Sequence, residues 1–196
     1  MCAILRLRNK KAAPGPDGVP GIIWAKILTL NKLEERLRRL FTSCLEQGVF
    51  PSLWKDGHLI LIQKDNRPAE NLSSYRPIVL LNEVGKLFER VIAARIVHNL
   101  TSCGIDLSDR QFGFRAGRST IDAILKVKNL TEQAVSQGGV ALAVSLDIAN
   151  AFNTLPWECI KEALKFHRIL SHLCRNISSY LTDRKVSLWD KLVGKI

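Results

Sequence analysis

Asp147 closes an alternating run in which Val140, Leu142, Val144 and Leu146 fall on one face of a strand and Ala141, Ala143, Ser145 and Asp147 on the other. An acid at the end of a strand is held by the backbone and can ligate a divalent cation. Phosphoryl transfer from a nucleoside triphosphate uses hard oxygen ligands around paired magnesium ions about 3.5 to 4 Å apart, and one strand-end aspartate is half of such a site. The same carboxylate could instead cap the turn that follows or face solvent. Taken by itself Asp147 leaves both readings open. The small side chains on its own face leave room beside the strand for something bulky.

Other chemistries find little support. Cys2, Cys44, Cys103, Cys159 and Cys174 are 42, 59, 56 and 15 positions apart, so there is no CxxC pair and no zinc spacing. An odd number of scattered thiols is a poor disulfide framework and fits an intracellular, reducing compartment. His167 and His172 are five apart in a helical stretch, on different faces. Lys and Arg outnumber Asp and Glu by 29 to 18, a formal charge of +11, which attracts a polyanion and makes nucleic acid the first partner to consider. No apolar run approaches the ~20 residues of a membrane-spanning helix, and the apolar part of MCAILRLRNKK is too short for a secretory signal.

The elements that must position Asp147 follow from hydrophobic periodicity. Ile23, Ile27, Leu30, Leu33, Leu37, Leu40, Phe41, Cys44 and Leu45 recur at three and four residues and predict one or two helices stopping at Gly48. Gly57 to Lys64 and Tyr75 to Val79 read as short strands joined by a polar connection, an antiparallel pair. Asn82 is placed to cap a helix carrying Val84, Leu87, Phe88, Val91, Ile92, Ile96 and Leu100. Ser119 and Asp122 have capping-box spacing at the head of a helix running toward Gln137, and Gly138-Gly139 breaks it before the strand Val140 to Asp147. Helical patterns return from Pro156 to about Asp183, and Arg184 to Trp189 opens a strand. Helix dominates, with short antiparallel strands: an α+β chain.

Five segments in succession, KKAAPGPDGVP, GHLILIQK, SSYRPIVLLNEVGKLFERVIAARI, QFGFRAGRSTIDAI and VSLDIANAFNTLPW, resemble the reverse transcriptases of LINE-like (non-LTR) retrotransposons in order and spacing. The resemblance covers about residues 10 to 185, and SYRPI with KLFERV, QFGFR and LDIANAF are its specific parts. It implies a right-hand polymerase, with a fingers-like region over 1–110 and the start of the palm over 111–196. It also implies an RNA-directed DNA polymerase working on an RNA template, a DNA primer and deoxynucleoside triphosphates with two Mg2+ or Mn2+ ions, in the nucleus and cytoplasm and not in a membrane.

Carried over residue by residue, the resemblance makes Asp147 the first metal-binding aspartate and the backbone carbonyl of Ile148 a further ligand. Phe152 falls where the family excludes the ribose 2'-hydroxyl. Lys64 and Arg76 match the cations that grip the incoming triphosphate, with Gln63 standing where the family's pattern has proline. Arg115 and Arg118 flank the Gly113 to Gly117 turn as template contacts, and PGPDG resembles the loop that covers the template. No two aspartates are adjacent in the sequence and no Pro-Gln-Gly segment occurs. The expectation is therefore a fragment, lacking the paired-aspartate hairpin, the rest of the palm and the thumb, and inactive alone. Two other readings compete: a noncatalytic nucleic-acid-binding remnant of a decayed element, and a plain structural helical protein. A reading frame that continues into the paired-aspartate hairpin favours the enzyme.

Overall fold

In the computed structural model, residues 13–65, 68–104, 108–148 and 151–188 are described. The chain divides into two compact units, Met1–Ser102 with Trp157–Ile196, and Cys103–Pro156.

In the first unit the long apolar stripe forms two helices, α1 (Gly21–Ile27) and α2 (Asn31–Gln47). They part at Leu28–Leu30, where Leu30 takes extended dihedrals as N-cap. Gly48 ends α2 in the left-handed region at φ 72°. There Val49 N–H donates to Cys44 O and Gly48 N–H to Leu45 O, the paired bonds of a Schellman motif. A side chain at Gly48 would also meet Arg175 Cβ at 2.6 Å, so both conformation and space require glycine.

The predicted antiparallel pair is present as β1 (Asp56–Gln63) and β2 (Tyr75–Leu81), in register from Gly57 opposite Leu81 to Gln63 opposite Tyr75. Helix α3 (Glu83–Ser102) follows directly and buries Val84, Leu87, Phe88 and Ile92. The polar connection between the strands is pinned by Tyr75 OH donating to Ala69 O at 3.1 Å.

Past the second unit the chain returns as α6 (Trp157–Phe166), α7 (Ser171–Leu181) and β3 (Lys185–Leu188). β3 joins β1 on its other side in parallel, which makes the sheet mixed, in the order β2-β1-β3. The helices gather around Phe41, Phe50, Trp54, Phe88 and Tyr180, whose neighbouring ring centroids lie 4.9 to 6.0 Å apart. Tilted and edge-on pairs at such spacing add to the apolar burial. Asn176, fully buried in α7, donates through Nδ2 to Leu45 O at 3.0 Å and His172 O at 2.9 Å, tying α7 to the end of α2.

The second unit holds α4 (Thr120–Ser136) and the single turn α5 (Ala151–Thr154). The capping box forms as the spacing predicts: Asp122 N–H donates to Ser119 Oγ at 3.2 Å, and Ser119 N–H to Asp122 Oδ2 at 2.7 Å. The Ser119 hydroxyl, which also donates to Asp122 Oδ2 at 2.7 Å, and then the Ser119 N–H hold the Asp122 carboxyl below its ordinary value. Gly138, at φ 76°, ends the helix with Gly139 N–H on Ala134 O and Gly138 N–H on Val135 O.

The run after it departs from expectation. Val140 to Asp147 makes no strand ladder with any described residue, and Val140, Leu142, Val144 and Leu146 are 94, 88, 73 and 91% exposed. Alternation records which face a segment is able to bury. It carries no information on whether a partner strand is present to take up the N–H and C=O groups, and none is among the described residues.

Candidate nucleotide and nucleic-acid site

Within the first unit, the strand pair brings two of the sequence-derived residues together. Lys64 lies one step past the end of β1 and continues its ladder, its N–H donating to Ser74 O at 2.7 Å. Arg76 on β2 stands opposite Ile62. Because side chains alternate along a strand, Ile62, Lys64 and Arg76 share one face, with Lys64 and Arg76 at a diagonal where Cβ atoms are typically roughly 7 Å apart. Both side chains can reach one polyphosphate from such positions.

Lys64 Nζ donates to Ser73 O at 2.7 Å, in the short 3-10 turn Leu72–Ser74. An ammonium has three donors, so this bond aims the side chain and leaves two for a ligand. Arg76 is exposed, and among the described residues nothing pairs with its guanidinium. Ile62 and Ile78, 47 and 40% exposed, form an apolar floor beside the two cations.

The second unit holds the remaining candidates. Arg115 Nη1 donates to Ser108 O at 2.8 Å. Arg118 Nη2 bonds Asp109 Oδ1 at 3.1 Å while its guanidinium lies 5.7 Å from the Phe112 ring centroid. Both arginines thus fold back on the Ser108–Asp109 turn and order the QFGFR segment. Asp109 is 91% exposed, and an ion pair so solvated is exchanged for a phosphate at small cost.

Asp147 and the backbone of Ile148 are exposed, at the end of the unpaired run. A carboxylate and a carbonyl are oxygen donors of the right kind for magnesium. Among the described residues, no group of three His, Cys, Asp or Glu side chains is placed to hold a metal ion. The donor chemistry of Asp147 and the Ile148 carbonyl therefore fits part of a magnesium ligand set. Ala149 and Asn150 lie outside the described residues, and Phe152 belongs to α5.

Asn82 takes the cap position that the sequence assigns it, its carbonyl accepting Lys86 N–H at 3.1 Å at the head of α3, but its side chain has another use. Asn82 does not cap α3 through its side chain: Oδ1 accepts Asp17 N–H and Nδ2 donates to Leu53 O, both at 3.0 Å, so it bridges two distant loops. An asparagine between a strand and a helix spells cap or bridge equally well, and only the tertiary partners decide.

The reverse transcriptase (RNA-dependent DNA polymerase) family profile matches residues 62–194, which span the Lys64–Arg76 strand pair, the QFGFR segment and Asp147. The chain belongs to this family. It is similar to a probable RNA-directed DNA polymerase from transposon BS of Drosophila melanogaster, 35% identical over 147 residues that cover 73% of this chain and 16% of that protein. It is similar also to a retrovirus-related Pol polyprotein from the type-1 retrotransposable element R1 of Bradysia coprophila, 31% identical over 189 residues, 94% of this chain and 18% of the relative. The RNA-directed DNA polymerase from mobile element jockey of Drosophila melanogaster is 34% identical over 149 residues, 73% and 15%. The chain spans about a sixth of the length of the curated relatives it matches. These are non-LTR elements, in keeping with the LINE-like resemblance of the motifs.

Proposed function

We propose that this chain is the template- and nucleotide-binding front of an RNA-directed DNA polymerase of a non-LTR retrotransposon, with fingers over 1–110 and the start of the palm over 111–196. The observation that carries the reading is the diagonal pairing of Lys64 and Arg76 on one face of the β1–β2 ladder, in a chain of this family. Two cations at that spacing offset part of a triphosphate's charge, and the planar guanidinium donates to two oxygens together. The apolar floor of Ile62 and Ile78 excludes water from one side and strengthens both interactions.

In this reading Asp147 and the Ile148 carbonyl supply oxygen ligands for Mg2+ or Mn2+, and other ligands come from outside the described residues. The bound ions would supply Lewis-acid stabilisation of charge on the transferring phosphate. Phe152 screens the sugar of the incoming deoxynucleotide, Arg115 and Arg118 exchange their present partners for template phosphates, and the Pro14 to Gly18 turn covers the template. The RNA template and DNA primer are drawn in by the +11 charge. Such an enzyme works inside the cell, in the nucleus and cytoplasm. No described helix is long and apolar enough to cross a membrane.

The test is primer extension on an RNA template, with deoxynucleoside triphosphates and magnesium, by the parent polypeptide that contains this chain. Extension that is lost in Asp147→Asn while RNA binding persists supports the proposal. A parent that binds RNA and never extends a primer is the noncatalytic remnant instead.

A further inference from the structure

The Pro14 to Gly18 turn is built to a fixed shape. Gly18 N–H closes it on Gly15 O at 2.9 Å, Gly18 itself has φ 67°, and Val19 N–H donates to Asp17 Oδ1 at 3.0 Å. It also lies directly on the end of β2: a Cβ at Gly15 would fall 2.4 Å from Leu81 C and 2.5 Å from both Leu81 O and Asn82 N. Those are backbone atoms, which cannot swing aside.

Among the described residues, the side chain that hydrogen-bonds the turn to the strand pair is that of Asn82. Asn82 is 9% exposed and sits between β2 and α3. Its Oδ1 accepts the Asp17 N–H across 65 positions of sequence, and its Nδ2 donates to Leu53 O in the 3-10 turn Ser52–Trp54 that leads into β1. Its carbonyl accepts Lys86 N–H in the first turn of α3. A single amide therefore joins the turn to the base of both strands whose other ends carry Lys64 and Arg76.

We propose that Asn82 is a positioning residue, which holds the Pro14 to Gly18 turn in its nucleic-acid-binding placement against the strand pair. The inference rests on the reading above that this turn covers the template. Without the clamp the turn keeps its internal bonds but loses its placement, and each encounter with nucleic acid must reorder it first.

The experiment uses the full 196-residue chain, with hydrogen exchange at the Asp17 amide and binding of a short labelled oligouridylate at low salt. Asn82→Ala is expected to raise Asp17 exchange by about ten-fold and to weaken RNA binding by about three- to ten-fold, the equivalent of one lost hydrogen bond. Asn82→Asp keeps the Oδ acceptor for Asp17 and is expected to restore most of the affinity, although it loses the Leu53 bond; a general stability defect would follow the Leu53 bond and not be rescued. Gly15→Ala, which leaves Asn82 intact but displaces the turn, is expected to reproduce the binding loss. A loosened turn with undiminished RNA binding in Asn82→Ala overturns this inference alone. A wild-type chain that does not bind the oligouridylate overturns the template reading and this inference together.

Discussion

Lys64 and Arg76 lie at a diagonal on one face of the β1–β2 ladder, because Ile62 stands opposite Arg76 and Lys64 continues the strand by one residue to bond Ser74. The placement is a property of register. A slip of one residue would send one of the two cations to the other face of the sheet.

From that placement, Arg76→Ala in the isolated chain is expected to weaken deoxynucleoside triphosphate binding by about ten-fold or more, since a charge-assisted bond contributes about 1.5 to 3 kcal/mol. Lys64→Ala should act in the same direction. If both side chains touch one triphosphate, the double variant falls short of the summed effects, by about 0.5 kcal/mol or more in a double-mutant cycle. Strict additivity in titrations of a fluorescent triphosphate would mean that the two cations serve different ligands. Arg76 is exposed, so its removal should barely move thermal stability, whereas Lys64→Ala also gives up the bond to Ser73 O.

Single-stranded RNA is expected to bind with little sequence preference and a steep dependence on salt. For four neutralised phosphates the slope of log K against log salt would be roughly −3. Arg118→Ala removes the contact to Asp109 and, if the arginine turns to a phosphate in the complex, reduces that slope by about 0.7. A purely structural arginine would change the order of the QFGFR segment and leave the slope where it was. Binding that is insensitive to salt would remove the electrostatic basis of the whole reading.

The parts of the fold that sequence made visible are those specified by local chemistry. The Ser119–Asp122 box fixes its helix start through bonds three residues apart, and Gly48 and Gly138 mark helix ends because their backbone is left-handed. The break between α6 and α7 has no such mark: Arg168 takes φ 53° there, in the same bonding pattern that glycine serves elsewhere, and the helical periodicity simply runs through it. β3 joins β1 in parallel because of where the chain returns, which four residues of β pattern cannot announce. In the site, sequence puts Lys64 at the end of one strand and Arg76 at the start of the next, but their diagonal depends on the register that sets Ile62 opposite Arg76, which alternation alone does not give. The side-chain bonds of Asn82 to Asp17 and Leu53, 65 and 29 positions away, do not follow from any local pattern.

Alkaline stability should carry the signature of Tyr180. Its ring meets Phe50 edge-on at 5.0 Å and lies under the Arg184 guanidinium at 4.3 Å. Burial, followed by the hydrogen bond and negative charge of Glu89, pushes the phenol up to about 12, with Arg184 opposing. The folded value lies above the ordinary value of 10.0, so the stabilisation is fully present below pH 10 and is lost as pH rises toward 12. Tyr180→Phe is expected to be less stable than wild type at neutral pH and to lose stability less steeply between these values. Parallel denaturation curves for the two proteins across that range would rule the phenol out as the source.

The sharpest test of the alignment around Asp147 concerns Phe152, five residues later and within the single turn α5. In the proposed site Asp147 would fix the metal and hence the triphosphate, and Phe152 would lie beneath the sugar. A flat apolar ring there offers no hydrogen bond to a ribose 2'-hydroxyl. Burying that hydroxyl without a partner costs about 1 to 3 kcal/mol before any steric overlap. In the parent polymerase this corresponds to about ten-fold to hundred-fold discrimination against ribonucleotides. Phe152→Val is therefore expected to raise ribonucleotide incorporation relative to deoxyribonucleotide by about that factor, with the fold retained. A phenylalanine that serves only packing would behave differently, lowering stability and both incorporation rates together. Single-nucleotide incorporation kinetics with each sugar separate the two cases. A ratio that does not move in a folded variant removes the gate and, with it, the residue-by-residue placement of the segment that follows Asp147.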